Sequence, residues 1–316
     1  VTVGPSQSNI NFGIRLIPTY TISGNVWVDG NGNGIKDTGE ANSSGRTVTL
    51  SGTGGGTRTT DINGNYSFSS LTAGTRNVTL TVPSGYISTT TNPLSRTVGP
   101  SQSANFGIRQ VFTISGNVYV DANGNGAKDI GEVNSGGRTI TVSGAGGGVR
   151  TTDTNGNYSF TTVIAGSHTV TLTVPSGYIS TTTNPLSRTV GPSQSANFGI
   201  RQVFTISGNV FIDTNGNGIK DIGDANSSGR TVTLSTGQTA TTDTSGNYSF
   251  SNLTAGTRNV TLTLPSGGYV STTPNPLTRT VGPNQTANFG MRQLFTINGN
   301  VFSDVNKNEL KDASES

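Results

Sequence analysis

The sequence predicts an all-β protein, a tandem array of antiparallel β-sandwich repeats of about 92 residues each. Three observations predict it. Landmarks recur at a fixed step: Asp29, Asp121, Asp213 and Asp304 lie 92, 92 and 91 residues apart, and Tyr66-Ser67-Phe68 returns at Tyr158 and Tyr248. Within each step apolar residues alternate with Thr, Ser and Asn over short runs, and no helical period appears. Turn residues punctuate those runs at regular spacing. A unit of this size can bury its own core, so the chain reads as a string of small domains and not as a solenoid. The expected divisions are a last strand over 1–16, full repeats over 17–109, 110–201 and 202–292, and a first strand with its loop over 293–316.

The elements of the first repeat follow in order. From Tyr20 to Asp29, Ile22, Gly24, Val26 and Val28 share one face while Asn25 and Trp27 take the other, which predicts a strand. Next come Thr47–Leu50, a glycine-rich connection over 52–56, and a short strand near Thr57 to Thr60. Asn63-Gly64 ahead of Tyr66-Ser67-Phe68 signals a hairpin. Val78, Leu80 and Val82 alternate with Thr up to the turn Pro83-Ser84-Gly85-Tyr86, and Thr97-Val98 and Asn105-Phe106-Gly107-Ile108 close the unit. Only Arg109-Gln110-Val111 precede the next repeat, a linker short enough to hold neighbours in a fixed orientation.

Acidic residues are concentrated in one kind of segment. Of sixteen Asp and Glu, twelve occupy positions one, nine and twelve of four 12-residue loops. Oxygen side chains at one, three, five, nine and twelve, a carbonyl at seven and Gly at six are what a hard cation such as calcium requires of a single loop. The first loop supplies Asp29, Asn31, Asn33, the Ile35 carbonyl, Asp37 and Glu40, and the second Asp121, Asn123, Asn125, Ala127, Asp129 and Glu132. The third has Asp213, Asn215, Asn217, Ile219 and Asp221, then Asp224 where the longer Glu would reach, which predicts a weaker or wetter site. The fourth runs Asp304, Asn306, Asn308, Leu310, Asp312 and Glu315, with Glu309 where the backbone wants positive φ. Asp61, Asp153 and Asp243 fit turn caps and also extra ligands; turn capping is the favoured reading.

The run V-x-V-D-x-N-G-N-G-x-x-D-x-G-E, then T-D-x-N-G-N-Y-S-F, V-P-S-G-Y and N-F-G-I resembles the calcium-binding B-type repeat of bacterial serine-aspartate surface adhesins, a relative of the collagen-adhesin B domain. The resemblance covers nearly the whole chain. It implies an immunoglobulin-like or transthyretin-like sandwich, a bacterial extracellular or cell-surface location, Ca2+ that stiffens a stalk, and a spacer role. Collagen-adhesin B domains often carry a Lys-to-Asn isopeptide bond, but here the only lysine of each full repeat lies inside the loop, at Lys36, Lys128 and Lys220. No such crosslink is therefore expected.

Other chemistries find little support. The chain has no Cys, which leaves metal rather than disulfides as the stapling device, and its net charge of +3 comes from dispersed arginines, not a nucleic-acid stripe. No apolar run reaches membrane-spanning length. His168, the sole histidine, replaces Arg76 and Arg258 in register and is expected at a solvated strand position. With carboxylates committed to loops, acid–base or nucleophilic catalysis has no apparatus, so the chain is not expected to be an enzyme. The glycine run 52–56 lacks the Lys-Ser/Thr of a phosphate cradle and reads as a hairpin. Trp27, Tyr119, Phe211 and Phe302 are expected to cover the loops or pack on a neighbouring domain, with sugar binding as the lesser use.

The leading expectation is a calcium-stiffened rod, stalk or filament; the alternative is an adhesin whose repeats bind carbohydrate or a host protein. Expected partners are further repeats or other copies of this chain, with an extracellular glycan or surface protein as a further candidate and no nucleic acid or membrane span. The chain starts within a last strand and stops after a loop, which predicts either a continuing covalent chain or neighbouring subunits that complete it.

Overall fold

The structure, a computed structural model, describes residues 13–305 and 307–314. Contacts gather them into two compact units. The first comprises the described residues through Tyr119 with Val133–Thr173 and Thr182–Phe198; the second comprises Val120–Glu132, Val174–Thr181 and the described residues from Gly199 onward.

The first repeat lies wholly in the first unit and shows how alternation becomes a sandwich. Its strands are β1 (Tyr20–Val28), β2 (Thr47–Leu50), β3 (Gly56–Thr59), β4 (Asn65–Leu71), β5 (Gly74–Leu80), β6 (Tyr86–Ser88), β7 (Leu94–Val98), β8 (Gln102–Ser103) and β9 (Phe106–Gln110). One sheet runs β4-β1-β9-β6 with β8 also on β1, and the other runs β3-β2-β5-β7. Val48, Leu50, Phe68, Val78, Leu80 and Phe106 are buried between them, while the intervening residues of β2 and β4 are exposed. Burial of each such side chain contributes about 1.5–3 kcal/mol, which is the main force closing the sandwich. Tyr66 and Phe68 add an edge-to-face ring contact at 5.9 Å.

Two features depart from simple up-and-down pairing. β1 is antiparallel to β4 but parallel to β8 and β9, so one parallel seam runs through an otherwise antiparallel fold. At that seam the Tyr66 hydroxyl donates to the Ala104 carbonyl, and a Cβ on Gly24 would lie 1.7 Å from the same oxygen. Glycine is required there by close approach. The hairpin expected at Asn63-Gly64 is instead a tight turn between the two sheets, because β3 pairs with β2 and β4 with β1; Asp61 Oδ1 accepts from the N–H of Asn63 and Asn65 at 2.9 and 2.8 Å, with Gly64 at φ 74°. Asp153 and Asp243 make the same pair of bonds, so the structure shows all three as turn caps.

The third repeat, within the second unit, repeats this plan. Its first strand, Phe204–Ile212, pairs antiparallel with Asn247–Leu253 and parallel with Phe289–Gln293, and Met291 takes the core place of Ile108. The single bridge Trp27↔Asn42 of the first repeat grows here into a short strand, Ala225–Asn226. The second repeat shows the same β1–β4 register between Phe112–Val120 and Asn157–Val163.

The partial repeats form no strand among their described residues. Of the strand expected in 1–16, residues 13–16 are described and unpaired, and 1–12 lie outside the described residues. Residues 294–304 likewise form none, against the strand expected over the start of 293–316. The physical reason is that β1 is held by β4 and β9, and nothing in this sequence after residue 293 corresponds to either.

Candidate metal loops

Each of the first three loops is launched by a strand whose last hydrogen bond fixes the first acid. Asp29 follows β1, and its N–H donates to Ile108 O of β9 at 2.8 Å; Asp121 and Asp213 donate to Ile200 O and Met291 O at the same distance. The carboxylates of Asp29, Asp121 and Asp213 are consequently wholly buried. Asp29 Oδ1 accepts from Gly32 N–H at 2.6 Å and Oδ2 from Gly34 N–H at 2.8 Å. The second and third loops repeat this at Gly124 and Gly126, and at Gly216 and Gly218.

The remaining ligand positions fold inward around that carboxylate. Asn31 Oδ1 accepts from Asn33 N–H, and Asn33 Oδ1 from Ile35 N–H, while both amide groups donate to Asp37 Oδ2 at 2.7 and 2.8 Å. Glu40 spans the loop ends, taking Gly30 N–H on Oε1 and Asp37 N–H on Oε2 at 2.8 and 3.0 Å. Asp224, one methylene shorter, still takes Thr214 N–H and Asp221 N–H. In the fourth loop Asp304 accepts from Asn308 and Glu309 N–H, and Asn308 donates to Asp312. Glu309 sits at φ 62° where the other loops have Gly34, Gly126 and Gly218 at 75–78°, so this conformation is imposed against side-chain preference. Asn306 and Glu315 lie outside the described residues.

The electrostatics favour a cation. Burial works to raise the pKa of Asp29, Asp121 and Asp213, yet the nearby Thr89, Thr181 or Thr272 hydroxyl and the hydrogen bonds from loop N–H groups outweigh it and hold each below the ordinary carboxyl value. Those three threonine hydroxyls are enclosed and find no hydrogen bond of standard geometry, so their influence acts through proximity to the acid. Asp224 is lowered chiefly by the Asp221 and Thr214 N–H bonds. Among the described residues no ion pair to Asp29 or Asp213 is formed: Lys36 and Lys220 turn away to Asn25 and Asn42, and to Asn209 and Asn226. A buried carboxylate without a counter-charge is costly, and a bound cation would relieve that cost. Among the described residues no three His, Cys, Asp or Glu side chains gather as a ready metal group. The donor set is therefore mixed, with carboxylates, Asn amide oxygens and one carbonyl, which suits a hard ion that prefers oxygen.

Other candidates fall differently from expectation. His168 is buried, not solvated: Nδ1 lies 2.6 Å from Ser143 O and Nε2 2.7 Å from Ile164 O. Arg76 is buried at the corresponding place and donates to Thr72 O, so the position is an inward-facing polar brace that Arg and His both fill. The single histidine is thus spent on backbone carbonyls. Trp27, Tyr119 and Phe211 are also buried, and Trp27 lines one cleft with Gly34, Ile35 and Thr89, beneath the first loop. Phe302 is half-buried outside any strand. Sequence reasoning missed Thr89 and gave Arg109 no role, although Arg109 Nη1 donates to Asn31 O at 3.3 Å. Their in-register recurrence was the only signal, and Thr and Arg recur throughout this chain.

The sequence model of the SdrD B-like domain matches residues 20–106, 112–198 and 204–298. Serine-aspartate repeat-containing protein D of Staphylococcus aureus (strain Newman) is 31% identical over 356 residues, covering 94% of this chain and 27% of that protein. Serine-aspartate repeat-containing protein F of Staphylococcus epidermidis is 28% identical, covering 84% and 18%, and Colossin-A of Dictyostelium discoideum is 31% identical, covering 79% and 3%. The chain thus spans about a quarter or less of the length of these relatives. Among solved structures, the Streptococcal ancillary pilin aligns with a TM-score of 0.31 at 10% identity, covering 87% of this chain and 99% of that one.

Proposed function

Because this chain belongs to the SdrD B-like domain family, we propose that it is a non-enzymatic structural array whose loops bind calcium and stiffen an extracellular or cell-surface rod. The observation that carries this reading is the set of buried carboxylates, Asp29, Asp121 and Asp213, each held by the N–H groups of its own loop. Asp29, Asn31, Asn33, the Ile35 carbonyl, Asp37 and Glu40 would hold the ion in the first loop, and their counterparts in the others. A bound calcium ion would supply positive charge beside the buried carboxylate, which the loop lysine does not reach in the first and third loops. The residues do the rest: Asp29 anchors the loop to β9 through its N–H, and Glu40 draws the two loop ends together.

Ordering a loop costs about 1–2 kcal/mol per residue, and coordination offsets that cost only while the ion is present. The chain should therefore lengthen its persistence in calcium and become pliable in chelator. Burial of Trp27, Tyr119 and Phe211 removes them as a sugar-stacking platform, which favours the spacer over direct carbohydrate recognition. Small-angle scattering and limited proteolysis, each with calcium and with excess chelator, test the proposal. A longer, protease-resistant particle in calcium is the expected result, and identical profiles in both conditions would sink it.

A further inference from the structure

An arginine outside the ligand pattern roofs each of the first three loops. Arg109 Nη1 donates to the carbonyl of Asn31, at loop position three, and lies 2.6 Å from where a Cβ on Gly32 would stand. Arg201 and Arg292 approach Gly124 and Gly216 in the same way, each with Nη1 at 2.7 Å. These glycines hold φ of 77–78°, so position four is kept bare both by backbone conformation and by the guanidinium above it.

The same arginine faces the following repeat. Arg109 lines one cleft of about 210 Å3 with Asp29, Phe112, Ile164 and Ala165. It also lines a second of about 350 Å3 with Gly32, Gly146, Thr162 and Ile164. All these residues belong to the first compact unit, and Gly146, Ile164 and Ala165 come from two turns of the second repeat. Arg292 lines a groove with Thr214, Tyr269 and Phe295, formed by the third repeat and the residues that leave it. A planar guanidinium can bond a loop carbonyl with one nitrogen while its stem and remaining nitrogens meet a neighbour.

We infer that Arg109, and by register Arg201 and Arg292, couples the ordering of its loop to the seating of the next repeat. The inference rests on the ion-loop reading above and deepens it: the loop stiffens the rod because this arginine carries its state across the junction. It is a positioning residue and is not itself an ion ligand.

The test uses the whole chain with Ile62→Cys and Thr154→Cys spin labels, at exposed turn positions of the first and second repeats, in a protein that has no native cysteine. Terbium, an oxygen-preferring ion of calcium's size class, reports the first loop through energy transfer from Trp27, the only tryptophan. In the wild-type background calcium should narrow the distance distribution. Arg109→Gln should keep terbium affinity within a factor of about five, the equivalent of one ordinary hydrogen bond, yet lose the narrowing. Arg201→Gln should leave this first junction narrow; broadening there as well would mean general loosening and overturn the assignment. So would an Arg109→Gln chain that narrows like the wild type, or one that no longer binds terbium, since the arginine would then build the ion site itself. Failure of the wild type to bind terbium would overturn the ion-loop reading first and this inference with it, a result distinguishable from the others.

Discussion

Asp29→Asn isolates the first loop and can be followed in that repeat alone. The Asp29 carboxylate is wholly buried and accepts from Gly32 and Gly34 N–H at 2.6 and 2.8 Å. An Asn side chain keeps one acceptor and turns an NH2 toward the other N–H, so one charge-assisted bond weakens and one buried donor loses its partner. That should cost about 2–4 kcal/mol with no ion present. At calcium roughly 100 times its Kd the wild type gains about 2.7 kcal/mol that the variant forfeits. Since each kcal/mol moves the melting temperature of a domain this size by about 4–8 °C, calcium should raise the wild-type transition by roughly 10–20 °C and the variant's hardly at all. Trp27 is the only tryptophan and is buried in the first repeat, so its emission during thermal or urea unfolding reports this repeat without interference from the others. Equal calcium shifts in wild type and Asp29→Asn, or none in either, would refute the reasoning.

Four further outcomes are expected. Gly24→Ala places a methyl 1.7 Å from Ala104 O, a clash with backbone that no rotamer change relieves, and should destabilise the first repeat by about 3 kcal/mol or more, again read from Trp27 emission. Tyr66→Phe deletes the hydroxyl that serves the Ala104 carbonyl and should cost about 1–2 kcal/mol in the same assay. His168→Arg restores the residue present at positions 76 and 258 and should change stability by less than about 1 kcal/mol, whereas His168→Ala strands the Ser143 and Ile164 carbonyls and should cost about 1–3 kcal/mol, measured by calorimetry. Asp29, Asp121 and Asp213 are held below the ordinary value of 3.8, so the stability they contribute is fully present above that pH and is lost as pH falls through their lowered folded values. Circular dichroism in metal-free buffer should therefore show acid-induced loss of structure setting in below about pH 4, and a flat profile from pH 6 to 2 would contradict it.

Much of the candidate site was legible because its residues are neighbours in the chain. Six donors within twelve positions declare their spacing directly, and Glu309 at positive φ confirms that the fourth loop keeps the backbone shape its glycine-bearing relatives prefer. The turn role of Asp61 was legible for the same reason: its two bonds go to residues two and four positions away. His168 was misplaced because repeat comparison shows only that Arg and His interchange there. Whether such a position points outward or braces two loops depends on Ser143, 25 residues away. Arg109 reaches Asn31 across 78 residues, and no local pattern announces such a contact.

By itself the sequence determined the period, the strands of alternating burial, the turns and the loops, since each follows from side-chain spacing along a few consecutive residues. Only the tertiary structure decided the parallel seam of β1 with β9, the need for Gly24 beneath Tyr66, the burial of Trp27 and the arginine above each of the first three loops. Those depend on which distant strands meet, and that is settled by how two apolar faces close over one core, not by any residue's immediate neighbours.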